Sequence, residues 1–269
     1  MSTRYTPTFL SKNAIASVAE LAITTGTGDN TANKSRLIDR NEDIRLSSTI
    51  SAGGIIIRWS PAATTTVDTV ILQNCNFRIV SILWSGAGGY RGQNFIDDSG
   101  DSNNAYLPIT STTVTAGQYL EIQIATVTGA TVCNCGQLYI GTKTFSMAET
   151  YGGEVFISPR TQQNIITLAD GSSQKIYVRK MYDYSLDLVN VPTIERTSFL
   201  AVYNANKRNT FFFVPEPIDA PTFIAGTLWA GIGGHVNWVN TFEFANRTNL
   251  IEANGYDAHI ELAQSGGAT

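Results

Sequence analysis

The stretch from Ser35 to Trp84, SRLIDRNEDIRLSSTISAGGIIIRWSPAATTTVDTVILQNCNFRIVSILW, constrains the fold of this chain more than any other. An acidic-basic loop is followed by Gly54–Trp59 (GIIIRW), a turn, Thr69–Leu72 (TVIL), a polar Gln-Asn-Cys-Asn break and Phe77–Trp84 (FRIVSILW). Short β-branched runs separated by turn residues read as successive strands. Helix signals are sparse. The best are Asn13–Leu21 (NAIASVAEL), with Asn as a candidate cap, and Ser198–Asn206 (SFLAVYNAN).

Further strands are expected along the rest of the chain. Tyr119–Thr126 alternates Leu120, Ile122 and Ile124 with Glu121 and Gln123, the pattern of a half-buried antiparallel strand. Gln137–Gly141 closes this first set. A second set comprises Gln174–Val178, Tyr182–Val189, Thr210–Val214, Phe223–Trp229, His235–Phe244 and Ala258–Leu262. Asp170-Gly171 is a hairpin signal between Ile165–Leu168 and the Gln174 strand. Lys143–Pro159 lacks a clear period and marks the join of two β-units. Pro215, Pro217 and Pro221 break the chain again, because proline cannot donate to a central ladder. The expected architecture is all-β: an N-terminal jelly-roll β-sandwich over 1–143, including an N-terminal arm, and a second antiparallel β-domain over 144–269.

Charged residues make up 15% of the 269, below the usual quarter, and the net charge is −4. Without a basic face the chain is not expected to bind nucleic acid. A low charge content also suits a surface covered by neighbours. No run approaches the roughly 20 apolar residues of a membrane helix, and the N-terminus has no secretory apolar core. The expectation is synthesis in the cytoplasm, with no membrane insertion. The SGGAT end is expected to be loose. Cys75, Cys133 and Cys135 are too few and odd in number for a disulfide framework, and with two histidines they make a poor zinc set. Free thiols, no metal and no cofactor are expected.

The run from Asn33 to about Gly141 resembles the discoidin-like, galactose-binding-like jelly roll found in phage tail proteins. The residues that carry it are Leu37-Ile38-Asp39 with Arg45 and Ser47, the strand Ile55–Trp59, Val67–Leu72 leading into Gln73-Asn74-Cys75-Asn76-Phe77, and Gly136–Gly141. The binding members of that family carry exposed aromatic and basic residues on loops at one end; no such set is evident here. The second half looks like the domain that follows this jelly roll in phage tail and baseplate proteins, through Tyr182–Leu188, Ser198–Asn206, Arg208–Pro217 and a terminal strand Ala258–Leu262. The resemblance implies a non-enzymatic virion structural protein, a tail or baseplate-region subunit of a tailed bacteriophage. Its partners would be copies of itself and other phage tail proteins. Two alternatives stand beside it: a host-recognition protein that binds surface glycan, and a polysaccharide-degrading tail enzyme.

Chemistry-bearing constellations are few. Serine hydrolysis needs serine, histidine and an acid in reach, and no Gly-x-Ser-x-Gly elbow occurs. Asp97, Asp98, Asp101, Glu149, Glu154, Asp183 and Asp187 qualify as glycosidase acids by type only. Asp97–Asn104 offers alternate oxygen ligands, but glycine falls at its fourth position and Pro108 at its twelfth, so it reads as a polar hairpin tip and not a calcium loop. Gly86–Gly92 lacks the helix and Lys-Ser/Thr pair of a phosphate loop. On that loop Tyr90 and Arg91, with Trp84 nearby, are the candidate ligand-binding residues, able to stack on a sugar or on a partner's side chains. Trp229, Trp238 and Phe242 read as core, or as an oligomer interface.

Overall fold

The computed structural model describes residues 7–25, 28–29, 33–40, 46–49, 55–75, 79–86, 89–95, 103–124, 132–147, 155–167, 169–170, 172–215, 233–241, 243–246 and 255–265. In chain order the strands are β1 (Thr8–Leu10), β2 (Leu21–Thr25), β3 (Gly28–Asp29), β4 (Leu46–Thr49), β5 (Ile55–Trp59), β6 (Thr65–Cys75), β7 (Ile79–Trp84), β8 (Gly89–Phe95), β9 (Asn103–Val114) and β10 (Leu120–Ile124). They continue as β11 (Val132–Cys135), β12 (Gln137–Gly141), β13 (Lys143–Ser146), β14 (Val155–Thr167), β15 (Ser173–Val191), β16 (Phe211–Val214), β17 (Gly234–Trp238), β18 (Ala245–Asn246) and β19 (Tyr256–Gln264), with one α-helix, α1 (Thr193–Asn206), among the described residues. The protein is all-β in class. Two compact units divide the described residues: 10–144, and a second formed by 7–9, 145–215 and 233–265. The strand β1 thus enters the sheet of the second unit at Thr8 and Phe9.

The first unit is a β-sandwich of antiparallel sheets. Its six-stranded sheet runs β3-β2-β5-β10-β7-β8, and a three-stranded sheet runs β12-β6-β9, with β11-β4 as a further pair. One apolar core serves all of them. Ile55, Ile57 and Trp59 of β5, Leu120, Ile122 and Ile124 of β10, and Val80 and Ile82 of β7 point into it, and Val70, Leu72, Leu138 and Ile140 belong to the same cluster. Two parts of the Ser35–Gly141 pattern meet at Gln137, whose side chain is 1% exposed. Its Oε1 accepts from Arg40 N at 3.1 Å, and its Nε2 donates to Asp39 Oδ1 at 2.8 Å and Arg36 O at 3.3 Å. A buried amide is tolerated because it is hydrogen-bonded.

Two expectations are corrected here. Asn13–Leu21 is not a helix; only Val18–Glu20 forms a 3-10 turn. Asn13 does not cap: its Nδ2 donates to Leu138 O at 2.9 Å, and its Oδ1 accepts from Ile140 N at 3.1 Å, so it pairs alongside β12. Tertiary bonding overrides a weak local propensity. The polar Gln73–Asn74 break is not a break either. The strand β6 runs through it to Cys75, with a register shift and Asn74 at φ 53°, a left-handed value that asparagine tolerates.

The second unit has an eight-stranded sheet of order β13-β1-β16-β17-β19-β15-β14, with β18 also paired to β19. The expected strands Gln174–Val178 and Tyr182–Val189 are one 19-residue strand, β15. Asn190, at φ 61°, lies where β15 shifts register against β19, and its backbone N–H donates to Asp257 Oδ1 at 2.9 Å. A Cβ on Gly255 would meet the Asn190 side chain, so the close approach needs glycine there. Pro192 then caps α1, which starts five residues before the expected Ser198. Pre-proline geometry and the fixed proline φ favour a helix beginning just after it. The expected strand His235–Phe244 ends at Trp238, and Phe223–Trp229, Trp229 and Phe242 lie outside the described residues.

Aromatic packing builds this core. The ring of Phe9 is fully buried, with Phe213 at 5.0 Å, Phe199 at 5.2 Å, Trp238 at 6.1 Å, Phe211 at 6.2 Å and Phe145 at 6.3 Å between centroids. Phe9→Ala removes the ring on which these five converge. It is expected to lower stability by about 3–5 kcal/mol, read as a drop in urea midpoint; a loss under about 1 kcal/mol would mean that the core collapses around the gap.

Candidate functional site

The strongest candidate site is a rim at one end of the six-stranded sheet. Strand β7 ends at Trp84, whose backbone partner is Leu120; Leu120 in turn pairs with Trp59. Trp84 therefore shares the inward side with Trp59, yet at the strand end it stays half-buried. The Ser85-Gly86 turn is fastened to the start of β10: Ser85 N donates to Tyr119 O at 3.1 Å, and Tyr119 N donates to Ser85 Oγ at 2.9 Å. The facing turn closes on itself, with Gln118 N donating to Thr115 O at 2.9 Å and Thr115 N to Gln118 Oε1 at 3.1 Å. Gly117, at φ 87°, supplies its left-handed residue. A Cβ on Gly86 would collide with the Trp84 ring and approach Gln118 Nε2 to 2.9 Å. The indole, the Gly86 backbone and the Gln118 amide are thus packed together.

Next to this rim, on the other side of the sheet, Arg58 faces Glu121 across β5 and β10. Arg58 Nε donates to Glu121 Oε1 at 2.5 Å, and Gln123 Nε2 to Glu121 Oε2 at 3.2 Å. The Arg58 guanidinium lies 4.5 Å above the Tyr119 ring. Its side chain is 43% exposed, whereas that of Glu121 is 11%. The covered Glu121 carboxylate thus has a donor on each oxygen. The Trp84 rim offers an aromatic surface, an amide and a hydroxyl; the outer face separately carries a planar cation stacked on a phenol and paired with Glu121.

Of the three candidate residues, Trp84 lies in this rim. The Gly86–Gly92 segment is not a loop throughout, as expected: Gly89–Phe95 is strand β8, because its backbone completes the edge of the sheet beside β7. Gly89 pairs with Trp84 and Tyr90 with Leu83, and Arg91 falls in the register shift between them and Gly92. The side chains of Tyr90 and Arg91 lie outside the described residues. Arg58, Gln118, Tyr119 and Glu121 were not singled out by sequence. Their signal was the isolated opposite charges on two strands of otherwise apolar pattern.

The catalytic constellations do not assemble among the described residues. Asp183 and Asp187 sit four apart on one strand, about 13 Å by strand rise, beyond the roughly 5–9.5 Å separation of glycosidase acids. Each has a basic partner: Arg160 NH2 lies 3.3 Å from Asp183, and His259 Nδ1 lies 2.5 Å from Asp187. His259 Nε2 faces Glu261 at 3.3 Å, so carboxylates occupy both ring nitrogens and none is left to serve as a base. His235 is buried against the Phe212 ring at 5.1 Å. Asp97, Asp98, Asp101, Glu149 and Glu154, and most of the Asp97–Asn104 segment, lie outside the described residues. Cys75, Cys133 and Cys135 are free and buried in the sandwich. Burial, reinforced by Cys75, pushes the Cys133 thiol far above its ordinary range, which suppresses the reactive thiolate. No group of three or more metal-ligating side chains occurs among the described residues, and no described helix is long and apolar enough to cross a membrane.

No protein-family model matches this sequence, and no curated protein matches it. Among solved structures, the family 32 carbohydrate-binding module CpGH89CBM32-6 produced by Clostridium perfringens is similar over 48% of this chain and 98% of its own, at 12% identity and a TM-score of 0.34. The family 32 module of AlyQ, in complex with 4,5-unsaturated mannuronic acid, is similar over 49% of this chain and 97% of its own, at 15% identity and a TM-score of 0.33. Likeness this low leaves the functional reading to the residues of this chain.

The His259 hydrogen bonds to Asp187 and then Glu261 hold its pKa above the ordinary value, against a small opposing effect of burial. A raised folded value means that the stabilisation is complete below the unfolded value of about 6.5 and is lost as pH rises through the raised one. The stability difference between the protein and H259Q should therefore favour the native residue at about pH 5.5 and shrink by about pH 9. Urea titrations at the two pH values read it; a difference that grows with pH would refute the pairing.

Proposed function

We propose that the chain is a non-catalytic binding protein whose sandwich unit recognises carbohydrate. The observation that carries this reading is the Trp84 rim. A half-buried indole beside an amide and a hydroxyl suits a sugar, which presents a C–H face for stacking and hydroxyls for hydrogen bonds. The register of β7 with β8 carries the backbones of Tyr90 and Arg91 to the same corner.

A second reading is a virion structural subunit of a tailed phage, acting in assembly with copies of itself and other tail proteins. The long β14–β15 hairpin and the low charge content favour it, since sheet edges and projecting strands are docking elements. Electron microscopy of particles tests it: density for this chain in the tail would support it, and its absence from purified particles would rule it out. Among the described residues the polysaccharide-degrading reading has no acid pair in its favour, with Asp183 and Asp187 both committed to basic partners.

Glycan-array binding of the full chain, followed by titration, tests the carbohydrate reading. Trp84→Ala should weaken binding about tenfold, the loss of roughly 1.4 kcal/mol of stacking. Gln118→Ala leaves the indole in place and should weaken binding by a smaller factor, with an unchanged circular dichroism spectrum. A full chain that binds no glycan, or variants that bind as well as the parent, would sink the proposal.

A further inference from the structure

The β14–β15 hairpin reaches beyond the sheet that anchors it. On one side β15 pairs with β19 only from Asp183 to Val191. On the other, β14 is the last strand of the sheet. The two strands nevertheless stay paired with each other from Val155↔Leu186 out to Thr167↔Ser173. From Arg160↔Met181 outward, among the described residues, neither strand has a third partner. At about 3.3 Å per residue this two-stranded ribbon is roughly 25 Å long. A free hairpin of this kind is only marginally stable in water.

Its composition is unlike that of the rest of the chain. Ile165 is 64% exposed and Ile166 45%, and as neighbours on a strand they occupy opposite faces. At its base Phe156 is 51% exposed, on the same side as Ile166 by strand alternation. Between Arg160 and Lys180 the sequence has Arg160, Lys175, Arg179 and Lys180 against Asp170 alone, four positive charges and one negative, or +3. With −4 for the whole chain, the remainder carries −4 − 3 = −7. Arg160 is paired at the base with Asp183; in register Lys180 and Arg179 follow opposite Thr161 and Gln162, and Lys175 lies opposite Ile165 near the tip. A basic, apolar-tipped ribbon and an acidic remainder are complementary.

We propose that the ribbon docks on the acidic remainder of a second copy of this chain, with the two copies exchanging ribbons about a two-fold axis. Reciprocal exchange closes the contact and avoids an open filament. Docking covers the isoleucine on the docked face of the ribbon, pairs its cations, and gives the β14 edge, which is last in the sheet among the described residues, a neighbour. The proposal deepens the assembly reading in taking the ribbon as the docking element; it requires neither a virion nor a sugar.

Sedimentation velocity of the full chain over a concentration series tests this. The expected result is a dimer mass that dissociates as salt rises to about 1 M, where charges a few ångströms apart are screened. Ile165→Asp with Ile166→Asp should give a monomer with unchanged circular dichroism. Lys175→Glu with Lys180→Glu, which leaves the apolar tip intact, should weaken dimerisation about tenfold or more. A parent that stays monomeric, or a dimer indifferent to both double variants, would overturn the proposal. A ribbon-dependent dimer that is absent from phage particles would remove the virion reading and leave this one standing.

Discussion

The antiparallel register of β5, β10 and β7 is the constraint on which the sandwich unit depends. Ile57 lies opposite Ile122, and Ile122 opposite Ile82, all fully buried. A slip of one residue would turn every one of these side chains to the outer face and bring Arg58 and Glu121 into the core. The same register that buries the isoleucines sets Arg58 against Glu121 and brings Trp84 to the row of Leu120 and Trp59. Core and rim are two consequences of a single pairing. The rim is held rigidly because moving it means moving the core.

In the second unit the organising element is instead a side chain delivered from far away in sequence. Phe9 enters from β1 and is surrounded by rings from β13, α1, β16 and β17. Their centroids, 5–6.3 Å apart in tilted, edge-on and stacked pairs, fall in the range where aromatic pairs add to simple burial. The sheet around them tolerates irregularity, as the left-handed Asn190 against Gly255 shows. A ring cluster is less demanding of register than an aliphatic ladder, because large flat groups meet usefully in several orientations.

The legible parts of the fold were those with a strict period of two. Leu120–Ile122–Ile124 and Tyr184–Leu186–Leu188 alternate in sequence and all six are buried, although Glu121 on the other face of its strand is covered as well. Asn13–Leu21 was misread because its apolar spacing fits a helical turn, whereas the Asn13 amide has two backbone partners on β12 that no local rule anticipates. The continuity of β15 was missed although Arg179-Lys180-Met181 contains no glycine, proline or asparagine to turn the chain. At the rim, Trp84 was visible as a lone indole at a strand end. Arg58 and Glu121 were not, since 63 residues separate them and only the folded register makes them neighbours.

Several acids, a histidine and the thiols of this chain are already committed to neighbours or to burial. Asp183 has Arg160, Asp187 and Glu261 share His259, Glu121 has Arg58 and Gln123, and the three thiols are buried. Each of these groups is satisfied by a neighbour or shut away from solvent. A catalytic acid or nucleophile needs the reverse: a group left poised, with its pKa set near the working pH and one face open to substrate. Accessible among the described residues are an indole, amides, a guanidinium stacked on a phenol, and isoleucines near the tip of a ribbon. Groups of that kind suit binding by shape, stacking and charge, in which they are not consumed. A rigid β scaffold suits them, because binding groups held in place lose little further entropy when the partner arrives.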